Sequence, residues 1–142
     1  MKIEVPFEII ELEKNSYHLL IKCQINNTQS GELVIDTGAS KTVFDQNFVE
    51  VYSVLPREDS EIQSRGLGEG GIDTEIVRID NFRLGELVID DFTCALINLN
   101  NINEMYHQYC QRRICGLLGS DFLLNHRAII NYESEILQLE LF

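Results

Sequence analysis

The sequence predicts an all-β domain, closed or sandwiched, and three observations carry that prediction. Short apolar runs alternate with turn residues along most of the chain, the spacing of a barrel or sandwich. From Tyr17 to Ile25 the odd positions are apolar and the even ones mostly polar, the period of a half-buried strand. The only prolines, Pro6 and Pro56, stand in no Ser/Gly/Pro-rich linker, so residues 1–142 read as one domain.

The elements follow in order. After the Tyr17–Ile25 strand, Asn26-Asn27-Thr28-Gln29-Ser30-Gly31 reads as a turn. Glu32 to Ile35 is a short strand that stops at Asp36-Thr37-Gly38. Further strands are expected at Ile76 to Ile79, Leu87 to Ile89, Phe92 to Ile97, Ala128 to Asn131 and Ile136 to Leu141. Asn101 to Arg113 breaks the pattern as a short helix or an irregular insertion. Asp121 to Arg127 suits two helical turns, with Ser120 or Asp121 as the N-cap. The string GELVID occurs at 31–36 and again at 85–90. Asp90 lacks the Thr-Gly turn that follows Asp36, so the repeat reads as two similar strands of one sheet rather than paired acids.

Composition narrows the function. With 23 Asp and Glu against 11 Lys and Arg, the formal charge is −12. Nucleic-acid binding is disfavoured, because it rests on cations neutralising phosphates, and so is adsorption to anionic lipid. A hydrophobic content of 44% suits a globular chain, and no apolar run approaches the roughly 20 residues of a membrane helix. Acidic residues interrupt the N-terminal stretch where a signal peptide needs an apolar core, which points to a cytoplasmic protein. Cys23, Cys94, Cys110 and Cys115 have neither CxxC pairing nor a histidine at zinc spacing. They read as free, mostly buried thiols, and no metal or cofactor is expected.

Chemistry concentrates in Leu33-Val34-Ile35-Asp36-Thr37-Gly38-Ala39-Ser40. Three apolar residues drive a buried strand to its end, and the next residue is an acid. Gly38 permits a tight turn and the close approach of another backbone, and Thr37 offers a hydroxyl to fix the loop. A carboxylate so delivered is held rigidly and partly desolvated, the condition for a useful pKa. An Asx turn closing a hairpin satisfies the same three residues. A second segment, Ile114-Cys115-Gly116-Leu117-Leu118-Gly119-Ser120-Asp121-Phe122-Leu123, joins an apolar strand, a glycine and a helix start.

In these two segments the chain resembles the retropepsin-like aspartic proteases, single-lobed and dimeric relatives of pepsin. An apolar strand running into D-T-G-A is matched by Val34 to Ala39. The later apolar-apolar-Gly before a short helix is matched by Leu117-Leu118-Gly119 and Ser120 to Leu123. The glycine cluster Ser64 to Gly71 stands where the family has its flap hairpin, with Gly66, Leu67 and Gly68 as the substrate-covering residues. The resemblance covers roughly residues 15 to 142. It implies an acid-protease β-barrel with a flap and one short C-terminal helix. It also implies peptide hydrolysis by Asp36 in the loop Thr37, Gly38, Ala39, with no cofactor. Two carboxylates sharing a proton activate water and polarise the carbonyl. One D-T-G per chain then requires a homodimer, acting on a peptide or protein substrate.

The chain departs from the family at several points. Ser40 and Ser120 replace the acid and arginine usual in retroviral members, Ala39 lacks the hydroxyl of pepsin-like enzymes, and no aromatic residue adjoins the flap glycines. Segment 101–113 is longer than the compact viral pattern. His18, His107 and His126 are scattered and read as surface or structural histidines, and Asp121 as a helix-capping acid. Glu58, Asp59 and Glu61 read as a solvated face. The alternative to a protease is a catalytically silent module of the same fold that binds peptides or dimerises. An intact Asp36-Thr37-Gly38 speaks against it, since binding has no need of the acid. A metal-dependent hydrolase lacks ligand spacing.

Overall fold

Ile3, Val5, Ile10 and Leu12 alternate with polar and charged neighbours, and they turn the acidic N-terminal stretch into two strands absent from the sequence reading. These are β1 (Lys2–Pro6) and β2 (Glu8–Glu13). The computed structural model describes residues 1–56 and 74–142. The expected hairpin follows as β3 (Ser16–Ile25) and β4 (Gln29–Ile35), with Asn26 and Asn27 turning the corner at positive φ. Then come β5 (Val43–Asp45) and β6 (Ser53–Val54). β7 (Glu75–Leu84) and β8 (Leu87–Ile97) form a long hairpin. Its register is constant from Leu84↔Leu87 to Glu75↔Leu96, with only the Asp80–Asp91 position unpaired. The two strands expected at 87–89 and 92–97 are therefore one. Asp90-Asp91 makes no turn, and the irregularity is confined to Asp91 at φ 53°.

Segment 101–113 is mainly helical, as α1 (Asn100–Cys110). β9 (Gly116–Leu118), α2 (Ser120–Asn125), β10 (Ile129–Asn131) and β11 (Ile136–Glu140) complete the described elements. The N-cap of α2 is Gly119, without a side-chain cap. Neither Ser120 nor Asp121 fills that place, because the Asp121 carboxylate is turned towards Thr42.

Eight strands lie in the order β2-β3-β4-β9-β5-β8-β7-β6, and a further β3–β7 pairing closes them into a barrel. β1, β11 and β10 make a separate three-stranded sheet. The two GELVID copies occupy β4 and β8 of one sheet, as expected. Leu33, Phe44, Val77, Ile79, Phe82 and Leu118 fill the interior, where the Phe82 ring stacks on Phe92 at 4.6 Å.

β3 is not half-buried as its alternation predicts. Leu20 and Val34 on the outer face are covered by Tyr106, Leu99 and Ile114, beneath α1 and its flanks. Three polar devices seat the helix. The buried Asp45 carboxylate accepts the Leu99 N–H, and Asn103 makes two bonds with the Ile114 backbone. Arg112, just past the helix, bridges Glu8 and Glu32 at 2.7 and 2.8 Å. Cys23, Cys94 and Cys115 are buried free thiols and Cys110 is half-buried. Among the described residues no helix is long and apolar enough to cross a membrane.

Candidate active site

β9 lies between β4 and β5, parallel to the first and antiparallel to the second, and this arrangement positions Asp36. Such close packing requires glycine at 116. A Cβ there would stand 2.2 Å from the Val43 carbonyl oxygen, a contact no side chain survives. β4 and β9 run together through Ile35↔Leu118, and the Asp36 N–H continues the ladder to the Leu118 carbonyl at 2.9 Å. Asp36 therefore leaves the barrel with its main chain already fixed.

The loop then folds back on itself. The Gly38 N–H donates to Asp36 Oδ1 at 3.0 Å, and the Ala39 N–H donates to the Asp36 carbonyl at 3.1 Å. The Ala39 carbonyl accepts the Ser120 N–H at 2.7 Å, which ties the loop to the first residue of α2. Thr37 does not fix the loop as its hydroxyl suggested: it is exposed, and the hydroxyl makes no bond among the described residues. That role falls to Thr42. Its buried hydroxyl accepts the Gly119 N–H at 3.0 Å and donates to Asp121 Oδ1 at 2.9 Å. Asp121 also accepts the Thr42 and Phe122 N–H groups. Gly119 permits this join, because a Cβ would meet the Lys41 carbonyl at 2.6 Å.

Asp36 is half-buried and opens on a cleft of about 270 Å³. Tyr17, His18, Thr37, Ile130 and Tyr132 share that cleft, and Asp36 is its one carboxylate among the described residues. Sequence reasoning missed Tyr17 and Tyr132 and placed His18 outside the site. The signal for His18 lies in the hairpin register: carrying Leu20↔Val34 two places on sets His18 across from Asp36. Gly66, Leu67 and Gly68, the expected flap residues, lie outside the described residues, as do Glu58, Asp59 and Glu61. A larger groove of about 650 Å³ opens at the far end of β3, beside Lys22, Gly31, Arg83 and Arg113. Among the described residues its one acid is Glu32, which is paired with Arg112. No group of three or more His, Cys, Asp or Glu residues is placed to hold a metal ion among the described residues.

A family model for aspartyl proteases matches residues 21–122, which takes in the first segment singled out in the sequence and all of the second but Leu123. Among solved structures, the chain is similar to the retroviral protease-like domain of Ddi1 from Leishmania major. Identity is 20%, with 88% of this chain and 90% of that one covered at a TM-score of 0.55. It is also similar to a retropepsin-like aspartic protease from Rickettsia conorii. There the identity is 14%, covering 98% of this chain and 89% of that one at a TM-score of 0.50. At these identities the structural likeness concerns the fold. No curated protein matches the sequence.

Proposed function

The chain belongs to the aspartyl protease family, and from that premise we propose that it is an endopeptidase working as a homodimer, with one Asp36 from each copy. The observation that carries this reading is the Asp36 carboxylate itself. It is half-buried, held at one oxygen by the Gly38 N–H, and it faces a cleft with no second acid among the described residues. One carboxylate cannot both take a proton from water and give one to a carbonyl oxygen. Two held about 3 Å apart share a single proton and do both.

In the proposed reaction the ionised Asp36 takes a proton from the bound water, whose oxygen attacks the peptide carbonyl carbon. The protonated Asp36 gives its proton to the carbonyl oxygen. The resulting tetrahedral diol collapses as one of its hydroxyls gives its proton to the ionised Asp36 and the C–N bond breaks. The amine leaves with the proton of the other Asp36, which releases the carboxylic acid and restores one proton to the pair. The outer surface supports a second copy. β10 is one of the two edges of the three-stranded sheet, and Leu124, Ile129, Tyr132 and Phe142 are exposed large apolar residues on α2 and the C-terminal segments. Tyr132 also lines the cleft, so a partner seated there abuts the Asp36 site.

The test is peptide cleavage by the purified protein across pH 3 to 8, beside Asp36→Asn. Asparagine is nearly isosteric, so the fold should remain and cleavage should vanish. Wild-type activity should peak in mildly acidic solution, where the pair holds one proton. Cleavage by Asp36→Asn at the wild-type rate overturns the assignment. A correctly folded wild-type dimer that binds peptides but cleaves none would instead be a silent module of this fold.

A further inference from the structure

His18 enters the Asp36 cleft already fixed from behind. Its Nδ1 lies 2.6 Å from the Tyr106 hydroxyl, and the two rings meet edge to face at 5.5 Å between centroids. Tyr106 is buried on α1, the helix within the segment that exceeds the compact viral pattern. Tyr106 thus holds one imidazole nitrogen of a residue that lines the cleft Asp36 shares.

We propose that His18 is a positioning residue for the Asp36 pair: its imidazole, seated by Tyr106 of the inserted helix, sets the pH window in which that pair carries its single proton. The proposal rests on reading Asp36 as the catalytic acid, and it deepens that reading by naming a residue that regulates it.

The surroundings of His18 favour this role. From the end of β4 it is faced by Asp36 and Thr37, and from the residues after β10 by Tyr132. On β3 its neighbour is Tyr17. β2 sets Ile10 directly opposite, with Glu11 across from Tyr17 and Glu8 two places along. Glu8 is paired with Arg112, and Glu11 accepts the Asn15 N–H. α1 contributes Tyr106 and, one turn on, Cys110, whose thiol donates to the Tyr106 carbonyl. Asp36 is thus the carboxylate that shares a cavity with the imidazole. The Tyr106 phenol is pushed up to about 12, first by burial and then by Cys110 and Asp36, so it keeps its proton at every working pH. It donates to Nδ1 when the imidazole is neutral and accepts from Nδ1–H when it is charged, and the contact survives both states.

The sign follows from charge. An imidazolium beside the pair favours ionised carboxylates, which lowers both apparent pKa values of the pair and moves the active window to lower pH. Any such coupling is reciprocal, so neutralising Asp36 should be felt at the imidazole.

The experiment has two readouts on the full chain. In the first, the His18 imidazole is titrated by NMR in wild type and in Asp36→Asn, without reference to activity. Its midpoint should fall by about half a unit or more when the acid is neutralised. In the second, pH–rate profiles are compared for wild type, His18→Gln, His18→Arg and Tyr106→Phe. With His18→Gln both limbs should move to higher pH by about half a unit, while His18→Arg keeps them at or below the wild-type position. Tyr106→Phe should give part of the His18→Gln shift. A His18 midpoint indifferent to Asp36→Asn overturns the proposal, as does a His18→Gln profile lowered uniformly without moving. If wild type cleaves nothing, the catalytic reading fails, while the NMR arm still decides whether the two groups are coupled.

Discussion

Thr42 shows how much of the loop's rigidity rests on one buried hydroxyl. It accepts the Gly119 N–H and donates to Asp121, so it joins the segment after Asp36 to the segment before α2. Thr42→Val keeps the shape, strands the Gly119 N–H and takes one of three donors from Asp121, which should destabilise the fold by about 1–3 kcal/mol. Urea denaturation measures that loss, and Thr42→Ser should recover most of it. If cleavage depends on a rigid Asp36, kcat should fall in the valine variant more than KM rises. The strand that leads into Asp36 was legible in the sequence because an apolar run ending in D-T-G is a local signal. Thr42 was not, since its partners lie 77 and 79 residues away and a threonine in a turn looks ordinary. Thr37 was misread for the same reason: its neighbours in sequence suggested a loop-fixing role that distant residues already fill.

At the scale of elements, periodicity located most strands but could not say what covers their faces. β3 alternates as if half-exposed, and Leu20 on its even face is nevertheless buried beneath Tyr106 and its neighbours. Helicity within 101–113 was open to the sequence, and its docking site was not, because that depends on charges distant in the chain. Arg112 makes the point. It bonds Glu8 on β2 and Glu32 on β4, and the Glu8 carboxyl is held below its usual value, first by the hydrogen bond from Arg112. A carboxyl with a depressed folded pKa adds stability above its unfolded value, near 4.3, and loses it as pH falls through the folded one. Arg112→Gln should therefore cost about 1 kcal/mol at pH 7, discounted for the exposure of the pair, and progressively less below about pH 4. Thermal denaturation from pH 7 to 3 tests this. A difference between the two proteins that stays constant with pH would mean that Arg112 acts through its packing instead.

For the whole molecule, net charge was the most legible property, and it sets two opposed salt effects. Each chain carries −12, so the proposed homodimer would bring together two like-charged bodies through the exposed apolar residues near β10. Repulsion between copies weakens as added salt shortens the screening length to about 8 Å at physiological strength. Specific activity at low enzyme concentration should therefore rise with salt, and sedimentation should show the dimer strengthening in parallel. Substrate capture runs the other way. In the proposed protease the same negative field should draw cationic peptides towards the cleft and repel acidic ones, an advantage that screening removes. The two effects separate when enzyme concentration is high enough to keep every chain dimeric. Under that condition kcat/KM for a Lys-rich peptide should exceed that of a matched Glu-rich peptide at low salt, and the ratio should shrink as salt is added. A ratio constant at every ionic strength would leave the charge with no part in substrate choice. A dimer that weakens with salt would mean that the interface joins groups of opposite sign, which the apolar residues around β10 do not supply.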